Sequence, residues 1–258
     1  MLTKKDIFNT LKSIGLKSND SIMIHSSLKA IGEIEFGATG LINALKEYFY
    51  DGTIMMPSHT WSFMNKDLDV LDLEQENSCV GVLPNIALRM GFIRSFHPTH
   101  SIVLYGKNID YIKYDDNQKT PVSATSCFGM LHTINAKILF LGASLTKNTF
   151  IHSIEEKYNV PNRLSEHTYK FYSKKGDIIK EYNMKKHYST LNPHLSEHYI
   201  KLEEPMIELG IASYFKFGNA NSIIVDAKKC YDFTCMLLEK DLHIFDDLKL
   251  IDKSLYKK

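Results

Sequence analysis

Four short apolar runs, each closing at a turn or a polar loop, constrain the fold of this chain most. They are Ser21-Ile22-Met23-Ile24-His25, Thr53-Ile54-Met55-Met56-Pro57, Ser101-Ile102-Val103-Leu104-Tyr105-Gly106 and Lys137-Ile138-Leu139-Phe140-Leu141-Gly142. Runs of this length, rich in β-branched and aliphatic residues, read as strands, the first of them buried. Stretches of helical spacing alternate with them. Residues 3–14 place Ile7, Leu11 and Ile14 on one face, residues 41–48 follow a plausible N-cap at Thr39, and residues 81–90 return to the same period. Alternation of this kind up to about Glu156 predicts a layered α/β sheet. Beyond it the pattern changes. Residues 167–181 read as a β-hairpin turning at Lys174-Lys175-Gly176-Asp177, residues 213–225 as a late hairpin pair and residues 230–238 as a final helix. Residues 65–77 are acidic and aperiodic and read as a surface excursion. Without repeats or a linker, the expectation is a single domain over 1–258 with a mixed sheet.

Composition narrows the function classes. A formal net charge of +1 with no long Lys/Arg run argues against binding driven by nucleic-acid phosphates. No apolar run approaches the ~20 residues of a membrane span. Residues 1–6 lack the apolar core of a signal peptide, so the expected location is the cytoplasm. The four cysteines (Cys79, Cys127, Cys230, Cys235) form no CxxC pair, which points to neither a zinc site nor a disulfide framework.

Several segments carry chemistry. After the strand at 137–142, the stretch Thr149-Phe150-Ile151-His152-Ser153-Ile154-Glu155-Glu156 places His152 and Glu155 on one face if it is helical. At a strand-to-helix junction that face looks into the crevice where α/β proteins hold ligands. An imidazole steadied by a carboxylate suits proton transfer at neutral pH; the alternative is a histidine that caps the helix or packs beneath the sheet. His25-Ser26-Ser27-Leu28, where the first strand gives way to a loop, offers hydroxyls and amides for a phosphate or pyrophosphate, or else its serines cap a helix. Neither GxxxxGK[ST] nor GxGxxG is present. The loop Ser58-His59-Thr60-Trp61-Ser62-Phe63 and the segment Arg94-Ser95-Phe96-His97-Pro98-Thr99-His100 supply His59, Trp61, Arg94 and His97 as candidate substrate-binding residues. The latter is equally a hydrogen-bonded structural loop, and it lacks the acidic or thiol partner a metal would need. Cys127, among the hydroxyls of 123–126, has no base beside it in sequence and reads as buried and inert. His187, His194 and His198 lie in a polar segment. Their spacing does not make HExxH, and they read as surface histidines.

Taken in order, His25-Ser26-Ser27-Leu28 with Ile31-Gly32, Asp51 to Pro57, Gly81-Val82-Leu83-Pro84, Arg94-Ser95-x-His97-Pro98, Ser126 to Gly129, Thr149-x-x-His152-x-x-Glu155 and Val160-Pro161-Asn162-Arg163 resemble the aminoglycoside 3-N-acetyltransferase family. The late segment from Gly210 to Ile224 resembles that family's C-terminal part, so the likeness runs through nearly the whole chain. It implies a three-layer α/β/α fold with a mixed central sheet, distinct from the GNAT acetyltransferases. It implies acetyl-CoA as co-substrate, no metal, and a small-molecule amine as the other partner, with a homodimer as the assembly to test. Carried over by position, Ser26 and Ser27 contact CoA, and His152 with Glu155 serves the amine by direct transfer in a ternary complex. Two departures stand out. Cys127 occupies a position where the family carries proline. The chain is also near neutral, with basic residues at Lys174, Lys175, Lys180, Lys185 and Lys186, whereas aminoglycosides are polycations that call for an acidic cleft. The acceptor is therefore expected to be an aminoglycoside or, in the alternative, a nucleotide-linked amino sugar of surface-glycan synthesis. A non-catalytic CoA- or sugar-binding relative and a Cys127 hydrolase are the readings from other classes.

Overall fold

The computed structural model describes residues 1–257. In chain order the main elements are α1 (Lys4–Ser13), β1 (Ser21–Ser26), α2 (Leu28–Ile31), α3 (Gly37–Tyr48), β2 (Thr53–Pro57), β3 (Val70–Asp72), α4 (Leu83–Arg89), β4 (Ile93–Arg94) and β5 (Ile102–Gly106). They continue with β6 (Lys137–Leu141), α5 (Thr149–Lys157), β7 (Tyr169–Lys175), β8 (Ile178–Met184), α6 (Glu203–Glu208), β9 (Ala212–Phe217), β10 (Ala220–Asp226) and α7 (Ala227–Lys240).

The central sheet runs β4-β5-β2-β1-β6-β10-β9. Its middle is parallel, with β1 paired to β2 on one side and β6 on the other, and antiparallel strands extend it at both edges. Successive side chains of a strand point to opposite faces. Accordingly Met23, Met55, Ile138 and Phe140 enter one core, with α5 and α7, while Ile22, Ile24, Ile54, Leu139 and Leu141 enter the other, with α1 and α3. Both faces are covered, which is why these strands appear in the sequence as unbroken apolar runs and not as alternating ones. The outcome is the expected three-layer α/β/α architecture with a mixed sheet.

Three expectations need correction. Helix α3 begins at Gly37, ahead of Thr39, because Phe36 and Gly37 make the turn with φ of 58° and 61°; Thr39 lies inside the helix. The acidic excursion holds β3, which pairs in parallel with β7 in a second sheet of order β3-β7-β8. Three residues are too few to show a period, yet Leu71 is fully buried there and joins Met64, Phe171, Tyr182 and Met184 in a third core. The predicted hairpin forms as β7-β8 around Gly176-Asp177 and continues past 181 to Met184. Among the described residues no helix is long and apolar enough to cross a membrane.

Candidate active site

The three parallel strands end side by side, and loops diverge from their carboxyl ends. That is where an open α/β sheet leaves a crevice. A cleft of about 800 Å³ occupies it, lined by Ser26 at the end of β1, Pro57 and His59 after β2, and Ala143, Thr146 and Lys147 after β6. Gly142 makes the turn out of β6 with a φ of 67°, and a Cβ there would come within 2.7 Å of the Ala30 side chain. The volume lies in the range of small-molecule sites.

Helix α5 carries His152 and Glu155 on one face, as their spacing requires. The two side chains do not bond directly. His152 Nδ1 stands 3.6 Å from Glu155 Oε2, and the hydroxyl of Tyr199 lies between them. That hydroxyl donates to Glu155 Oε2 and is 2.6 Å from His152 Nδ1. A phenol has one proton. With that proton given to the carboxylate, Nδ1–H of His152 donates to the phenol oxygen, and Nε2 keeps its lone pair. Nε2 makes no hydrogen bond among the described residues, and the imidazole, 12% exposed, lines the cleft. Burial and the neighbouring Glu155 push the Tyr199 hydroxyl well above its ordinary pKa, so it stays a donor.

Glu155 is itself fully buried. Its second oxygen accepts from Arg163 Nε at 2.6 Å, and the same guanidinium reaches Asp246 at 2.7 Å and the Pro161 carbonyl at 3.0 Å. A buried carboxylate without such partners would be costly. The Val160-Pro161-Asn162-Arg163 motif thus supplies the counter-ion that keeps Glu155 in place.

Imidazoles continue along the wall. His152 packs on His187 with ring centroids 4.5 Å apart, His187 on His100 at 4.9 Å and His100 on His59 at 4.7 Å. Burial holds His59, His100 and His187 well below the usual histidine pKa and pushes His25 down to about 3, so this wall is uncharged.

The remaining candidates divide. Ser26 lines the cleft, whereas Ser27 caps α2 by accepting the Ala30 amide at 3.3 Å and does not. His59 lies in the cleft floor, with Nε2 3.2 Å from Thr149 Oγ1, and Trp61, 51% exposed, stands at its rim. Arg94 and His97, expected at the substrate, do not line this cleft, and their polar atoms are taken up by the surrounding chain. Arg94 is buried and donates to the carbonyls of Ser58 and Glu76 and to Ser101 Oγ, at 2.9, 2.6 and 3.0 Å. His97 Nδ1 accepts the amides of Thr99 and His100, and its Nε2 faces the Thr120 carbonyl. The surface reading of the later histidines holds for exposed His194, although that residue also borders the cleft. It fails for His187, which lines the cleft, and for His198, buried with its ring nitrogens against the Phe245 and Pro193 carbonyls. Cys127 is fully buried, its thiol turned to the Tyr111 carbonyl and pushed well above its ordinary pKa, first by burial and then by Asp115.

Sequence reasoning missed Tyr199 and the part played by Arg163. Tyr199 lies 44 residues beyond Glu155 in a polar segment with no local signal. Arg163 was visible only as part of a motif. Among the described residues no group of three or more His, Cys, Asp or Glu is placed to hold a metal ion.

A family model described as aminoglycoside 3-N-acetyltransferase matches residues 23–239. An aminoglycoside N(3')-acetyltransferase-like protein, YokD, of Bacillus subtilis is 27% identical over 181 residues, covering 62% of this chain and 66% of the relative. The aminoglycoside N(3)-acetyltransferase IV of a Salmonella species is 26% identical, covering 64% of this chain and 62% of that one. The matched segments thus span slightly less than two thirds of these relatives' length. The structure of AAC-IIIb in binary complex with CoASH superposes with a TM-score of 0.79 at 21% identity, covering 92% of this chain and 96% of that one. At that identity the likeness establishes the fold.

Proposed function

Because this chain belongs to the aminoglycoside 3-N-acetyltransferase family, we propose that its cleft transfers an acetyl group from acetyl-CoA to an amino group of an aminoglycoside or amino sugar. One observation supports this most: His152 presents a free Nε2 to the cleft while its Nδ1–H is tied through Tyr199 to the buried Glu155. A sugar ammonium is not nucleophilic until it loses a proton, and an imidazole in this tautomer is a base at the required place.

When bound, the thioester supplies an activated carbonyl carbon in the cleft. As the amine nitrogen bonds to that carbon, His152 Nε2 takes its proton. Tyr199 and Glu155 stabilise the imidazolium through Nδ1–H. The proton held on Nε2 then passes to the sulfur as the carbon–sulfur bond breaks. Holding both reactants in one cleft supplies much of the remaining rate. His59 and Trp61 border the acceptor. The inert Cys127 weighs against a covalent hydrolase, and the assembled base weighs against a purely binding relative.

Initial rates with dialysed enzyme, acetyl-CoA and a panel of aminoglycosides and amino sugars test the reading. The expected outcome is N-acetylated product, intersecting double-reciprocal lines and no acetylated protein by intact mass. Parallel lines together with an acyl-enzyme would sink direct transfer.

A further inference from the structure

The charged side chains on the cleft wall differ in their pairing. Beyond β6, Lys147 lies 3.5 Å from Glu197, and both line the cleft. Lys186, which follows β8, has its ammonium 2.8 Å from the Asn65 carbonyl beyond β2 and 3.7 Å above the Tyr169 ring. Among the described residues only one other charged side chain lines the cleft, Arg163, and it is paired with Glu155 and Asp246. Lys186 is therefore the one cation of the described lining without a carboxylate partner.

The acidic excursion adjoins this wall at Asn65, but none of its carboxylates lines the cleft. Asp67 accepts the Lys170 amide, Asp69 the amides of Asn65 and Lys66, Asp72 those of Glu74 and Gln75, and Glu74 that of Gly176. These four carboxylates hold turns of the loop and tie it to the small sheet. Of the basic residues between 174 and 187, Lys180 pairs with Asp116 outside the cleft, and only Lys186 reaches the wall beside the neutral His187. A polycation placed here would meet Lys186 and uncharged imidazoles, with no carboxylate among the lining side chains but Glu197, which Lys147 already pairs.

We propose that the acceptor is an amino sugar that also carries an anionic group, a phosphate or a carboxylate, docked on Lys186, and that polycations are poor substrates. The proposal rests on the acetyl-transfer reading of the same cleft. Partly buried, Lys186 gives a charge-assisted contact that a neutral or cationic sugar cannot replace.

The test is steady-state acetylation at saturating acetyl-CoA, comparing glucosamine, glucosamine 6-phosphate, a uridine-diphosphate-linked amino sugar and kanamycin. At least one anionic amine should exceed kanamycin in kcat/KM by about tenfold or more. For that amine, Lys186→Met should raise KM about tenfold with kcat within about threefold, and Lys186→Arg should recover most of the loss. Lys186→Glu should improve kanamycin. Preference for kanamycin in the unmodified protein, or a KM indifferent to Lys186→Met, overturns the proposal while leaving the transferase reading intact. Absence of acetyl transfer to every amine overturns the transferase reading, and this proposal with it.

Discussion

The site built on α5 and the loop at 94–101 draw on the same kinds of side chain and use them in opposite ways. His152 and Glu155 of α5 join Tyr199 and Arg163 of later segments in the chain His152–Tyr199–Glu155–Arg163, and among the described residues each polar side-chain atom of these four has a partner except His152 Nε2, on the cleft side. In the loop, His97 stands near the carboxylate of Asp115, and Arg94 lies among Ser58, Glu76 and Ser101. There the arginine is consumed by two carbonyls and a hydroxyl, the imidazole by backbone groups on both sides, and Asp115 by Ser95 and the Cys127 amide. The loop braces the sheet edge; the helix offers a base. Chemical capacity therefore depends less on which residues are present than on which atom is left without a partner.

The largest expected effect separates the two regions. His152→Ala should lower kcat about a thousandfold, the middle of what a positioned base supplies, with little change in Tm. A kcat within tenfold of the unmodified protein would remove α5 from the chemistry. Arg94→Met should do the reverse. It leaves the carbonyls of Ser58 and Glu76 short of a buried donor and should cost about 3 kcal/mol in denaturant unfolding, with kcat per folded molecule nearly unchanged. A selective rise in acceptor KM would restore Arg94 to the substrate site.

Tyr199→Phe sharpens the picture within α5. It removes the link between Nδ1 and the carboxylate and should reduce kcat about 10- to 100-fold, with acetyl-CoA KM unchanged. If kcat is unaffected, Glu155 and Arg163 serve folding alone.

A smaller effect, per group, comes from pH. Burial depresses the pKa of His25, His59, His97, His100 and His187 below the ordinary 6.5. Between 6.5 and the folded value the unfolded chain binds a proton that the folded chain refuses. Stability is then complete above pH 6.5 and falls as the solution is acidified, by about 1.4 kcal/mol per pH unit for each such histidine. Urea melts from pH 7 to pH 5 check this, and a flat profile would mean that these imidazoles can charge in place. The smallest effect is expected from Cys127→Ala: unchanged kcat and a stability loss of about 1 kcal/mol.

Much of the architecture was legible in the chain, because strand and helix signals are local. Apolar runs such as 137–142 predicted strands, and the three-residue step from His152 to Glu155 put both on one helical face. The short strand β3 was not legible, because three residues carry no period and its stability comes from Leu71 in a core built by distant strands. The N-cap at Thr39 was misread because two residues of positive φ turned the chain earlier.

The amino-acid order alone determined the layered α/β class, the pairing of a histidine with a carboxylate on α5, and the family likeness. Only the tertiary structure decided that a tyrosine joins that pair, that Arg163 holds Glu155, that Ser26 faces the cleft while Ser27 caps a helix, and that Lys186 lines the cleft without a carboxylate partner. The reason is physical. Periodicity depends on neighbours a few positions apart, whereas a hydrogen bond between residues 199 and 155 exists only after packing has brought separate segments within 3 Å or so of each other.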